Sequence, residues 1–320
     1  MTVQINSRIT IKDDYMSIIN KAKSLLFPEI WCCAVRFNEN SHDCILDDCD
    51  GEFCVIKDNL RYWTADPFLA KKDGSYYLFF ELYDRLKRKG MLGYREITQN
   101  SIGKINLIYE SEKHLSYPFI FEKNAEYYII PESNKQGELF RLKCTSFPDK
   151  WEKEKVILND RLVDTTLFAK DGTDYYISER VDDNNVFDRI DLFYDDGNEI
   201  KECSSNPVKV DINTARGAGK VFEYRGKCIR PSQDCSESYG EKLNFNEIDC
   251  ISSDSYREHL IKTVNVKDIK LNCQNNYIGI HTYNRLDNIE VIDLKFKGKF
   301  NLLNTLGAVI KQIKRAIKLG

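Results

Sequence analysis

The sequence lacks any run approaching the ~18 consecutive apolar residues of a membrane-spanning helix, so no segment is expected to cross a bilayer. It lacks a charge excess: 47 Lys and Arg face 50 Asp and Glu, for a net charge of −3. That balance argues against a dedicated nucleic-acid binder. Residues 1–12 lack the apolar core of a secretory leader. There is no Gly-x-Ser-x-Gly elbow, no recognisable Cys–His signature and no Rossmann or Walker glycine loop. Methionine is scarce, at 3 residues against 18 Tyr and 17 Phe, a bias that suits pleated strands better than helical bundles. With 42% hydrophobic residues the chain has ample material for a core and is not disordered.

Cysteine is plentiful, but the C-x-x-C pair of most structural zinc sites is missing. Eleven is an odd number, so at least one thiol stays single in any disulfide scheme. Without a leader, the cysteines read as reduced and the protein as cytoplasmic. The nearest approach to a ligand cluster is His42, Cys44, Cys49 and Cys54, for which ordinary buried or surface thiols are the favoured reading.

Three segments repeat. Asp66-Pro67-Phe68-Leu69 leads through Asp73-Gly74 to Tyr76-Tyr77-Leu78-Phe79-Phe80-Glu81. Tyr117-Pro118-Phe119-Ile120 leads through Asn124-Ala125 to Tyr127-Tyr128-Ile129-Ile130-Pro131-Glu132. Asp164-Thr165-Thr166-Leu167-Phe168 leads through Asp171-Gly172 to Tyr175-Tyr176-Ile177-Ser178-Glu179. Lead residue and closing acid are fifteen apart each time: 66 to 81, 117 to 132, 164 to 179. Each unit reads as a β-hairpin, and further strand-like runs lie between units. Roughly four short strands per ~50 residues is the footprint of a propeller blade. Weaker copies run from Gly219 to Asp234 and from Tyr277 through Asp287-Asn288 to Phe296. The expected fold is therefore all-β, a five-bladed β-propeller over 30–298, with 31–37 closing the ring against the last blade.

The flanks differ. Apolar residues at helical spacing over 13–27, stopped by Pro28, predict a short helix within an N-terminal segment 1–29. In 299–320, Leu302, Leu306, Val309, Ile310, Ile313 and Ile317 form one stripe, with Lys311, Lys314, Arg315 and Lys318 beside it. Such a basic amphipathic helix either lies on an anionic membrane or packs on the propeller with a solvated lysine face.

The leads of the inner strands converge on one mouth of a propeller, so Asp66, Tyr117 and Asp164 are expected there. Two carboxylates facing each other across a pocket suit glycosidic chemistry, where one can act as base while the other tunes it. The plainer alternative is that each Asp caps a turn. Glu81, Glu132, Glu179 and Asp234 would form a ring of acids at equivalent strand ends, binding sugar hydroxyls together with Gln233, His114 and His281.

The runs Thr64-Ala65-Asp66-Pro67-Phe68 and Phe79-Phe80-Glu81 resemble the family 43 glycoside hydrolases. Longer runs, His114-Leu115-Ser116-Tyr117-Pro118-Phe119, Val163-Asp164-Thr165-Thr166-Leu167-Phe168 and Arg230-Pro231-Ser232-Gln233-Asp234, resemble the propeller at the N-terminus of plant glucosamine inositolphosphorylceramide transferases. Stand-alone bacterial versions are associated with cell-surface polysaccharide synthesis. The likeness covers about 30–296. The hydrolase pattern implies a base Asp, a modulating Asp and a Glu acid; Asp66 and Asp164 match the first two. The fourth blade reads Thr214-Ala215-Arg216-Gly217-Ala218-Gly219-Lys220 and offers no Glu.

A transferase needs no such acid when phosphate leaves as an anion. It needs positive charge, and Arg216, Lys220 and Arg230 are the candidates to hold a donor phosphate, with the neighbouring glycines admitting backbone N–H groups. The alternative for Arg216 is a pairing with Glu132 or Glu179. The hydrolase relatives also imply an axial cation near a fifth-blade histidine, a place comparable to His281, although a satisfied core histidine fits as well. No cofactor is required by the sequence and no metal ligands are assigned.

The resulting expectation is a cytoplasmic glycosyltransferase, at the inner face of the membrane if the tail docks there. It would build an O-antigen, capsule or glycolipid from a pentofuranosyl donor such as phosphoribosyl diphosphate, on a glycan or lipid-linked acceptor. The alternatives are a glycoside hydrolase of furanosides with a displaced acid, Glu132 or Glu179, and a non-catalytic glycan-binding propeller.

Overall fold

A computed structural model describes residues 26–40, 43–47, 51–181 and 188–319. The helix expected over 13–27 falls almost wholly outside these residues, as do His42 and Cys49. Cys44 is buried and Cys54 exposed.

Five antiparallel sheets form the expected ring of blades. Their inner hairpins are Tyr62–Lys72 with Ser75–Asp84 (blade I), Ser116–Lys123 with Glu126–Glu132 (blade II), and Leu162–Lys170 with Thr173–Arg180 (blade III). Blade IV pairs Phe222–Tyr224 with Lys227–Asp234. Blade V pairs Tyr277–Gly279 and Tyr283–Leu286 with Ile289–Lys297. The strand Glu29–Phe37 then pairs with Ile289–Lys297 along its whole length, so an N-terminal strand closes the ring as expected.

Local chemistry sets the hairpins. All five inner hairpins turn over two residues, as the pairs Lys72–Ser75 and Leu286–Ile289 show. In four of them both turn residues have positive φ: Asp73 and Gly74, Asn124 and Ala125, Asp171 and Gly172, Arg225 and Gly226. That is the twist-compatible turn that Asp-Gly favours. The aromatic pairs after the turn then fill the space between blades. Phe68, Phe79 and Phe80 are fully buried, and truncating such a side chain to alanine costs about 3–5 kcal/mol.

The inner strands of blades I to III also carry a bulge. In blade I, Ala65 pairs with Glu81 and Phe68 with Phe79, so Asp66 and Pro67 together oppose Phe80. The same shift recurs between Ser116 and Phe119 and between Val163 and Thr166. Asp66, Tyr117 and Asp164 therefore sit at φ values of 50°, 45° and 48°. The bulge turns their backbones toward the axis, a use of bulges common beside functional sites. A single helix follows the ring, α1 (Leu302–Leu319), lying against the blade I loop through Gly307, where an added Cβ would come within 2.3 Å of the Arg85 carbonyl oxygen.

Candidate functional site

A cavity of about 1060 Å³ opens at the end of the channel where the bulges lie. Glu132, Val163, Arg216 and Tyr239 line its depth, and His114, Lys87, Arg88, Lys113, Lys135, Lys311 and Lys314 line its sides. Acids collect below and cations above.

Asp66 and Asp164 meet at the axis as expected, but just beneath this surface, each 5% exposed. Asp66 Oδ2 accepts the Tyr117 N–H at 3.0 Å, and Oδ1 accepts the Thr282 hydroxyl at 3.1 Å. The Asp66 N–H in turn donates to Asp293 Oδ2 at 2.9 Å. Carboxylates thus link blade V to I and blade I to II. Asp164 links III to IV: its Oδ2 accepts Arg216 Nε at 2.7 Å and the Gln233 amide at 3.2 Å. Both aspartates are structural ties as well as candidate reacting groups, so the turn-capping alternative is replaced by one in which they bridge blades.

The electrostatics follow from burial. Asp66 is pushed up to about 6, chiefly by burial and then by Asp293 and Asp164, with His281 opposing. Glu132 is raised well above its usual range by burial and by Asp164, which shares a hydrogen bond with it, while Arg216 opposes. Burial, then Asp66 and Glu132, raise Glu81 likewise. Close carboxyls disfavour one another's ionisation, so burial and mutual repulsion act in the same direction here. Arg216 supplies the counter-charge: it is 5% exposed, and Asp164, Tyr239, Glu132 and Glu179 together keep it charged against its burial.

His281 stacks on Trp31 with ring centroids 3.8 Å apart. Its Nδ1 lies 2.6 Å from Asp293 Oδ2 and its Nε2 3.4 Å from Asp66 Oδ1. Burial disfavours the imidazolium, but Asp293 and Asp66 outweigh it and raise the pKa. Asp66, His281 and Asp293 offer ligand atoms within 4.8 Å of one another. However, Asp293 already accepts the N–H groups of Asp66, His281 and Thr282, and both ring nitrogens face carboxylates. The donor set fits a charge-paired histidine that tunes Asp66, and does not fit a cation ligand.

The expected phosphate trio is dispersed. Arg216 is held by Asp164, not by the expected Glu132 or Glu179 alone. Arg230 is 1% exposed between blades III and IV, where Glu258 accepts from it at 2.7 and 2.6 Å and the Ala215 carbonyl oxygen accepts at 3.1 Å. Lys220 crosses the channel toward the Leu69 carbonyl oxygen, 3.5 Å away, and over the Phe119 ring. Burial lowers it to about 8.

The glycines beside Arg216 serve close packing between blades. The Gly219 N–H donates to the Tyr117 hydroxyl at 2.8 Å, and a Cβ on Gly217 would meet the Asp164 carbonyl oxygen at 2.8 Å. Gly217 lets blade IV approach blade III, and Gly219 lets it approach blade V. Tyr117, expected to bind substrate, is fully buried, with its hydroxyl also bonded to Thr166 at 3.0 Å. It plugs the channel beneath the site.

The acid ring needs one correction. Counting seven residues on from the turn reaches Glu81, Glu132 and Glu179, but in blade IV it reaches Gln233 and in blade V Lys295. Successive strand residues face opposite sides, so Gln233 reaches Asp164 while Asp234 turns to Ser236 and Lys242. Lys295, Asp293, Trp31 and Tyr239 were absent from the expected site; the turn-based count was the available signal for Lys295. His114 lines the cavity, its Nε2 3.4 Å from Glu81 Oε1. Burial and the nearby Lys135 and Lys311 lower His114 to about 4. Burial thus favours the neutral form of both members of that contact.

Comparisons with known proteins agree with this architecture. The family 117 glycoside hydrolase Zg3597 of Zobellia galactanivorans matches with a TM-score of 0.52 at 12% identity, over 87% of this chain and 92% of that one. A family 62 α-L-arabinofuranosidase domain of Coprinopsis cinerea matches with a TM-score of 0.53 at 10% identity, over 73% of this chain and 90% of that one. At such identities they share the fold. Glucosamine inositolphosphorylceramide transferase 1 of Arabidopsis thaliana is 33% identical over 212 residues, covering 61% of this chain and 27% of the relative. The chain thus spans about a quarter of the length of the curated relatives it matches. Residues 57–298, which hold all of blades I to IV and most of blade V, match the family described as glucosamine inositolphosphorylceramide transferase 1, N-terminal, and the chain belongs to that family.

Proposed function

We infer that the chain is a glycosyltransferase that binds and transfers a sugar at the axial mouth. The observation that carries this reading is the layering of the site, buried carboxyls below and a rim of lysines above. A phosphate-bearing donor fits that layering. Its sugar meets the acids, and Lys113, Lys135, Lys311 and Lys314 take the phosphate role first expected of Arg216, Lys220 and Arg230. Asp66, at about 6, is matched to accept a proton from an acceptor hydroxyl near neutral pH. Asp164, fixed by Arg216, orients the sugar.

A second reading, a glycoside hydrolase, is favoured by one observation: burial and Asp164 push the Glu132 carboxyl toward its protonated form, the form an acid for a poor leaving group needs. The narrower expectations supply the test panel. Nucleotide sugars and phosphoribosyl diphosphate serve as donors, glycans and glycolipids as acceptors, and aryl furanosides as hydrolase substrates. Transfer that falls about 10²–10⁴-fold in Asp66→Asn supports the transferase. Release of the aryl group, lost in Glu132→Gln, replaces it with the hydrolase. Glycan binding with neither chemistry, unchanged in both variants, makes the propeller a binding module.

A further inference from the structure

The helix α1 touches the propeller with its small residues. Asn304, Gly307 and Ala308 are buried, and the close approach at Gly307 seats the helix on the loop that follows the second strand of blade I. Leu302, Leu306, Val309, Ile313 and Ile317 recur at helical spacing and share the opposite face. They are exposed by 69%, 46%, 45%, 53% and 73%. The stripe, for which packing on the propeller was one of the two alternatives, thus points away from it. The Asn301 amide donates to the Leu60 carbonyl oxygen at 2.8 Å, bringing Leu60, 79% exposed, beside the start of the helix. Phe300 adds a further exposed ring.

The polar side of the same helix faces the cavity, which Ile310, Lys311 and Lys314 help to line. Around that opening stand Lys87, Arg88, Lys113 and Lys135, with Glu112 among them and Glu110 paired with Lys87 at 2.7 Å. Among the described residues no helix is long and apolar enough to cross a membrane. An apolar stripe on one side of a helix, with a basic rim at its other side, is the pattern of an element that lies in a lipid interface.

The geometry points to α1 as a membrane-docking helix that seats the mouth of the propeller on an anionic lipid surface. The occupant is lipid because the charge on the other side of the helix is positive and continuous with the cavity rim. Docking would let a lipid-borne sugar or acceptor reach the site without leaving the bilayer. This placement does not depend on which reaction the site performs, and its test requires no turnover.

The test is co-sedimentation of the full chain with phosphatidylcholine vesicles, with and without phosphatidylglycerol. The expected result is binding to the anionic vesicles that weakens as salt is added. The pair Ile313→Asp and Ile317→Asp, both beyond the buried contacts of the helix, should weaken partitioning at least about tenfold. Lys311→Ala and Lys314→Ala should each weaken it about fivefold. Equal binding to both vesicle types, no binding to either, or binding unchanged by the aspartate pair overturns the proposal. A soluble dimer that the aspartate pair dissociates also overturns it, because the stripe would then be covered by a second copy of the chain.

Discussion

Replacing Arg216 with alanine separates the two roles this side chain has been offered. In the structure its Nε meets Asp164 Oδ2 at 2.7 Å, with only 6% and 5% of the two side chains exposed. Glu132 and Glu179 also draw on its charge. Removing one member of a buried pair leaves the other without compensation, which costs about 3–5 kcal/mol. For a chain of this size each kcal/mol lowers Tm by about 2 °C, so a fall of roughly 6–10 °C is expected. Thermal unfolding followed by circular dichroism measures it. Asp164→Asn supplies the second arm of a double-mutant cycle, and a favourable coupling between the two positions should appear. A fall of less than about 2 °C with no coupling would refute the argument, returning Arg216 to the phosphate-binding role.

Asp66→Asn should act on stability as well as on turnover, and in a pH-dependent way. Its folded-state carboxyl titrates at about 6, above the ordinary 3.8, so folding favours the protonated form. That gain is complete below about pH 4 and lost as pH rises through about 6, so the stability of permanently neutral Asn relative to Asp should rise by up to about 3 kcal/mol from about pH 4 to above pH 6, read as a pH-dependent difference in Tm. An equal effect at both ends of the range counts against the assignment. Lys220→Met removes an amine lowered from 10.5 to about 8 by burial; a group so depressed weakens the fold as pH falls through 8, so Met should raise Tm at neutral pH, fading above about pH 10. Arg230→Ala should destabilise the fold, leaving Glu258 with Lys209 and the Tyr256 hydroxyl as its partners, yet ligand-induced thermal shifts should remain; their loss would place Arg230 in the donor site. Gln233→Ala should disturb donor or glycan binding more than Asp234→Ala, read by thermal shift, since Gln233 alone of the two touches Asp164.

The sequence by itself determined the ring of blades. Two-residue turns such as Asp73-Gly74 and Asp171-Gly172 impose a hairpin locally, and the alternation of the strands that follow decides which side chains face the axis. Asp66 and Asp164 were legible for that reason, being copies of one repeat position. The fourth blade was not. Its inner segment, Arg216 to Lys220, departs from the repeat, and a slip of one residue exchanged Asp234 for Gln233. The fates of Arg216, Arg230 and Lys220 depended on what stood across the channel or in the next blade, contacts between residues tens of positions apart that no spacing encodes. The raised carboxyls are likewise a product of burial, which only the closed ring creates. The direction of the apolar stripe on α1 was decided by Gly307, whose missing side chain let the opposite face of the helix approach blade I.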